Sequence, residues 1–244
     1  MKNYRVFSVA SALGLSVAVM LNGSVASAQG FATLLSAQPL TTNIDFVPPA
    51  DDGAPAYSRG GATRNPECDA LQVLPENGSG LTAEAHPLVQ AYFQADVKQV
   101  WMQVKANDGS EIYTYGEDEY FVLPEGKGFA EIPLPESLTE LTPNKLYSWE
   151  IVLLCNNPFG PSSPRVRGGI RRVEPMVSLV DSESMSLREK MSVYAESGLW
   201  YDYISALTLM KKQDPNSSQL MQNWEAALRA VNLDVIFDEF EAAE

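Results

Sequence analysis

Between about Ala70 and Val173 the apolar residues come in short runs, separated by Gly, Pro, Asn and Asp. The runs are Leu88–Phe93, Val100–Val104, Glu111–Tyr115, Tyr120–Leu123, Phe129–Leu134, Leu146–Leu154 and Val166–Val173. In the longest, Tyr147, Trp149, Ile151 and Leu153 alternate with Ser148, Glu150, Val152 and Leu154. A period of two predicts a half-buried strand whose odd face meets a core. Asn107-Asp108-Gly109-Ser110 has the composition of a turn after the second run. Seven short strands over about 100 residues, with no helical period among them, predict an antiparallel β-sandwich and argue against an α/β parallel sheet.

From Ser186 the period lengthens. Ser186-Leu187-Arg188-Glu189 is a capping box that opens a helix, and Gly198 stops it. Leu187, Met191 and Tyr194 form its apolar face. Trp200, Tyr203, Ile204, Leu207 and Met210 make the face of a second helix, which ends with Lys211 and Lys212 in its last turn and Asp214-Pro215 beyond. Leu220, Met221, Trp224, Leu228 and Val231 predict a third helix over about 218–231, and Leu233, Ile236, Phe237 and Phe240 a short fourth. The spacing over Leu187–Pro215 is that of one helical hairpin of the tetratricopeptide type, a scaffold that binds partners. A free-standing solenoid needs about three such repeats, so this hairpin must lean on the strands, self-associate or cap something else.

One corner sharpens the strand reading. Leu141-Thr142-Pro143-Asn144-Lys145-Leu146-Tyr147 resembles the entry to the penultimate strand of fibronectin type III and immunoglobulin-like domains, where the Tyr hydroxyl bonds back to the preceding corner. The expected class is therefore α+β: an immunoglobulin- or fibronectin-III-like antiparallel β-sandwich over 68–175, followed by a helical domain over 184–244.

The N-terminus changes the compartment. Lys2 and Arg5 precede the largely apolar stretch Val6–Leu21, and Ala26-Ser27-Ala28 offers a small-residue cleavage site. Together they predict a secretory signal peptide, residues 1–28, and an exported protein, periplasmic or at the cell surface. Removing Lys2 and Arg5 from 17 basic residues leaves 15 against 31 acidic, a formal charge of −16. Such a chain repels nucleic acid and anionic lipid. Residues 29–67 are rich in Pro, Gly, Ala, Asp and Thr, with Asp51-Asp52-Gly53-Ala54-Pro55 and Arg59-Gly60-Gly61-Ala62 as linker-like stretches, and read as an exposed, flexible lead segment. The two cysteines, Cys68 and Cys155, are expected to form a disulfide in an oxidising compartment. His86, the single histidine, has no ligand-like spacing to either cysteine, and no C-x-x-C is present.

Several of these stretches together resemble one family, the cyanobacterial exported proteins called domain of unknown function 928. They are Gly53-Ala54-Pro55 through Gly60-Gly61, Arg64 to Cys68, Leu146-Tyr147-Ser148-Trp149 ending at Cys155-Asn156, Gly168-Gly169-Ile170-Arg171-Arg172-Val173, and Tyr194-Ala195 to Gly198-Leu199-Trp200-Tyr201-Asp202. Gly169 stands where the family commonly has Trp, which implies a locally less packed face. The resemblance carries no activity; it implies an exported β-sandwich with a helical tail, acting as an envelope interaction module.

Candidate sites follow from charge and aromatic clustering. In Trp200-Tyr201-Asp202-Tyr203, helical phase puts Trp200 and Tyr203 in the hairpin's core and leaves Tyr201 for a partner. Arg165, Arg167, Arg171 and Arg172 are the dense basic group of an acidic chain, and the first three share a strand face. That strip would hold an acidic partner or the chain's own tail, Asp234 to Glu244, with five carboxylates and no basic residue. Glu117-Asp118-Glu119 lacks the ligand spacing of a Ca²⁺ loop. No nucleophile elbow, phosphate loop, H-E-x-x-H or dinucleotide pattern occurs. The expectation is a protein-interaction module whose partner is another envelope or secreted protein, with no catalytic, cofactor or metal residue. A carbohydrate-binding or carbohydrate-active β-sandwich is the alternative.

Overall fold

The computed structural model describes residues 44–49, 68–75, 77–116, 119–124, 126–155, 163–174 and 184–233, and among the described residues there are nine strands and three helices. The strands are β1 (Ala70–Gln72), β2 (Ser79–Thr82), β3 (Leu88–Phe93), β4 (Gln99–Ala106), β5 (Ile112–Thr114), β6 (Phe121–Val122), β7 (Gly128–Pro133), β8 (Leu146–Leu154) and β9 (Arg165–Arg172). They form two sheets. The small one runs β1-β3-β7; the large one runs β2-β9-β8-β4-β5, with β6 also paired to β4. All pairings are antiparallel except β2 with β9, which is parallel.

All seven expected strands appear, and β1 and β2 are additions. The alternation in β8 holds for its odd face, where Tyr147, Trp149, Ile151 and Leu153 are buried, but Val152 on the even face is buried as well. The odd-face residues share one core with Val100, Met102 and Val104 of β4 and with Val89, Ala91, Phe93 and Ile132 of the small sheet. The Tyr147 hydroxyl accepts a hydrogen bond from the Thr142 amide at 3.3 Å, closing the corner before β8. β2 escapes periodicity because it is short and carries Gly80, a weak strand former. A Cβ there would lie 2.9 Å from the Tyr201 ring, so the strand needs this glycine.

The helices are α1 (Leu187–Glu196), α2 (Trp200–Gln213) and α3 (Ser218–Ala230). The capping box is formed: the Ser186 side chain accepts from the Glu189 amide, and the Glu189 carboxylate accepts from the Ser186 amide. Gly198, at φ +68°, takes the left-handed conformation that ends α1. Helices α2 and α3 cover the face of the small sheet turned away from the shared core. Gln90 Nε2 donates to Ser205 Oγ at 2.9 Å, Lys212 pairs with Glu131 at 3.1 Å, and Phe129 meets Trp224 edge-on at 5.0 Å. The layers therefore run large sheet, small sheet, helices.

Part of the lead segment is not exposed. Residues 44–49 have no regular structure, yet Ile44 and Phe46 are buried. Phe46 lies edge-on to Trp200 and stacks on Tyr203, and the Val47 amide donates to the Ala195 carbonyl at 3.1 Å. Aromatic burial gives this short stretch a place that its linker-like surroundings did not suggest. Cys68 and Cys155 are bonded, their Cα atoms 5.9 Å apart, which ties the approach to β1 to the residue after β8. The signal-peptide stretch and the acidic tail from Asp234 lie outside the described residues.

Candidate functional site

The aromatic cluster at the start of α2 faces inward. Trp200 Nε1 donates to the Val73 carbonyl at 2.8 Å. Tyr201 accepts from Trp149 Nε1 and donates to the Gly169 carbonyl, both at 2.8 Å. Asp202 accepts from Thr82 Oγ1 and the Ala83 amide, both at 3.1 Å. Tyr203 donates to the Ile44 carbonyl at 3.0 Å. Four consecutive residues thus hold the β1–β2 connection, the β8–β9 pair, the end of β2 and the lead segment.

This corrects the expectation for Tyr201, which is 1% exposed and makes no contact surface. The first turn of α2 is enclosed all round, so the phase of the helix does not single out a solvent side. Burial also raises the Tyr201 hydroxyl pKa. Asp202 is 5% exposed, and burial raises its carboxyl to about 7. The Ala83 amide opposes that rise and the charge of Glu84 adds to it. Burial, with the charges of Asp202 and Glu84, pushes the nearby Tyr194 up to about 12.

The surface candidates lie on the outer face of the large sheet. Pairing in β9–β8–β4 aligns Arg167, Glu150 and Gln103 in one row, and Arg165, Val152 and Trp101 in the next. Glu150 accepts from Arg165 Nε at 3.1 Å and from Arg167 Nε at 2.5 Å, one carboxylate oxygen to each. Arg165 also donates to the Ser163 carbonyl. The sequence strip therefore has an internal partner, on the neighbouring strand. The Arg167 side chain remains 59% exposed. On the other side of Gln103 the row continues to Thr114, and Lys105 follows beside Ser148 and Ile112. Trp101, half-buried, stands between Gln99 and Gln103 on β4.

Arg171 shares this face but sits at its far end, opposite Leu146 and Leu81. Arg172 turns to the other side and binds the Leu141 carbonyl and Glu140. Sequence reasoning named Arg165 and Arg167 but passed over Glu150, Trp101 and Gln103. Their signal was present: Gln99, Trp101, Gln103 and Lys105 alternate with the buried Val100, Met102, Val104 and Ala106.

The other candidates stay apart from this face. Glu119 accepts from the Gly116 amide at 2.9 Å, while Glu117 and Asp118 lie outside the described residues. His86 is exposed. No group of three or more His, Cys, Asp or Glu among the described residues is placed to hold a metal ion.

Chemically, the outer face offers cations and amides on a stiff sheet, with an indole among them. Glu150, the one carboxylate among the described residues of its strand rows, is engaged at both oxygens by arginines. A family model described as Domain of Unknown Function (DUF928) matches residues 54–240, and the chain belongs to that family. No curated protein matches the chain.

Proposed function

We propose, from membership of the DUF928 family and from the outer face just described, that this protein is an exported, non-enzymatic binding module of the cell envelope. Its contact surface is the outer face of the large sheet. The observation that carries this reading is the row Arg167–Glu150–Gln103 with Trp101 beside it: polar, aromatic and partly exposed groups on one face. The opposite side of the molecule is occupied by helices that cover the small sheet.

Export is supported by the basic-then-apolar start, the Ala26-Ser27-Ala28 site and the Cys68–Cys155 bond. No helix among the described residues is long and apolar enough to cross a membrane. The finer fold reading is an immunoglobulin- or fibronectin-III-like sandwich. It is supported by an opening edge divided between sheets, β1 on β3 and β2 parallel to β9, and by the Tyr147 corner. The α1–α2 pair, joined through Gly198, supports the tetratricopeptide-like hairpin.

Site-specific photocrosslinking tests the surface. A photoreactive residue at Gln103 should crosslink to an envelope component, and one at Leu209, 48% exposed on α2, should not. Crosslinks from Leu209 alone would overturn the assignment. Trp101 favours carbohydrate as a second class of partner, bound rather than hydrolysed. A glycosidase needs two carboxyl groups about 5–9.5 Å apart, and Glu150 is the one carboxylate on the β9, β8, β4, β5 and β6 rows of this face.

A further inference from the structure

We infer that the outer face of the large sheet binds an acidic polysaccharide, a chain of sugar rings carrying carboxylate or sulfate groups. The inference rests on the preceding assignment of that face as the contact surface and adds the chemistry of the ligand.

Charge is the first argument. The whole chain has a formal charge of −14. On the outward rows of β9, β8, β4, β5 and β6 the sign reverses: Arg165, Arg167, Arg171 and Lys105 stand against Glu150 alone. Lys105 and Arg171 have no ion-pair partner among the described residues. Glu150 takes Nε of Arg167 and leaves its two terminal nitrogens without a partner among the described residues. A guanidinium held by its Nε, with its outer edge open, is set to receive a carboxylate or sulfate through those nitrogens. Glu150 therefore orients the arginine.

Shape is the second argument. β8 is hydrogen-bonded on both sides, to β4 and β9, so the middle of this face has no free backbone edge for a peptide strand. It presents side chains alone. β8 separates β9 from β4, about 10 Å apart at two strand spacings; Ser148 on β8 and Gln103 on β4 offer hydrogen-bonding groups, and Trp101 on β4 offers a ring beside the buried Val152. Amides and a hydroxyl suit sugar hydroxyls, and the apolar face of a pyranose packs on an indole. The cations flank these neutral groups, Arg165 and Arg167 on β9 and Lys105 on β4. This arrangement fits a linear chain with acid groups spaced along it.

The test uses the full exported chain and three polymers: dextran sulfate, polygalacturonate and neutral dextran. Wild type should bind the two acidic polymers, with affinity falling as salt rises, and should ignore neutral dextran. Arg167→Glu combined with Lys105→Glu should weaken acidic-polymer binding at least tenfold, with the folded circular-dichroism spectrum retained although the lost Arg167–Glu150 pair lowers the unfolding midpoint. Trp101→Phe should weaken polygalacturonate binding while the charge of the face stays the same. Equal retention on neutral dextran, no binding to any polymer, or full binding by the charge-reversed variant would overturn the inference. Photocrosslinking at Gln103 separates the two levels. Capture of an acidic protein there would keep the contact face and sink the polysaccharide; no crosslink and no polymer binding would sink both.

Discussion

Replacing Asp202 by Asn should remove a pH dependence from the stability of this protein. The carboxyl is 5% exposed and its pKa is raised by burial from 3.8 to about 7. A raised folded-state value means that the folded protein keeps a proton which the unfolded chain gives up. The stability contributed by the neutral carboxyl is complete below about pH 4 and is lost as pH rises to about 7. A difference of about three units corresponds to roughly 4 kcal/mol over that window, a tenfold loss in the folding constant per unit at the steepest. The contacts say how the neutral form fits. Oδ2 accepts from the Ala83 amide, and a protonated Oδ1 can donate to Thr82 Oγ1 at 3.1 Å. Asparagine reproduces that pattern with its amide nitrogen facing Thr82 and its oxygen facing Ala83. Asp202→Asn should therefore come closest to wild type below about pH 4 and exceed it by up to about 4 kcal/mol at pH 8. Urea unfolding at a series of pH values, followed by tryptophan fluorescence from the buried Trp149 and Trp200, measures both proteins. Parallel stability curves, or a variant weaker than wild type at pH 8, would refute the reasoning.

Other expectations follow from the same contacts. Cys155→Ala should lower stability by about 2–5 kcal/mol and make the chain before Cys68 more sensitive to protease; cleavage patterns with and without reductant check it. Tyr201→Phe leaves the Trp149 N–H and the Gly169 carbonyl without their shared partner, and should cost about 1–3 kcal/mol in denaturant unfolding. Gly80→Ala forces a methyl against the Tyr201 ring and should cost about 1–3 kcal/mol. Tyr201→Leu should recover part of that loss if the clash is the cause, which a double-mutant cycle will show.

Local pattern made much of the fold legible. The ends of β3 and β8 coincide with the apolar runs, and the Ser186 capping box and the Gly198 stop stand where the code places them. What escaped depends on partners distant in the chain. β2 has four residues including a glycine, and its role comes from lying parallel to β9 and beneath Tyr201. Helical phase points Tyr201 outward only if a helix has one buried side. α2 instead enters between two sheet edges and a lead segment, and every side of its first turn is covered. Parity along β9 united Arg165 and Arg167 correctly, but register cannot be read from one strand, so Glu150 stayed unseen as their partner.

The four residues that open α2 impose an order on the making of the molecule. Tyr203 reaches back 159 residues to Ile44, Trp200 reaches 127 to Val73, and Asp202 reaches 120 to Thr82. Closing contacts over such separations is slow, and synthesis runs from the N-terminus. The early strands and the Phe46 segment must wait for the last quarter of the chain before their polar groups find partners. A chain whose native state is locked by its final helices stays pliable until those helices are made. Any product cut short before Trp200 would leave Thr82 of β2, Val73 and Trp149 without these partners.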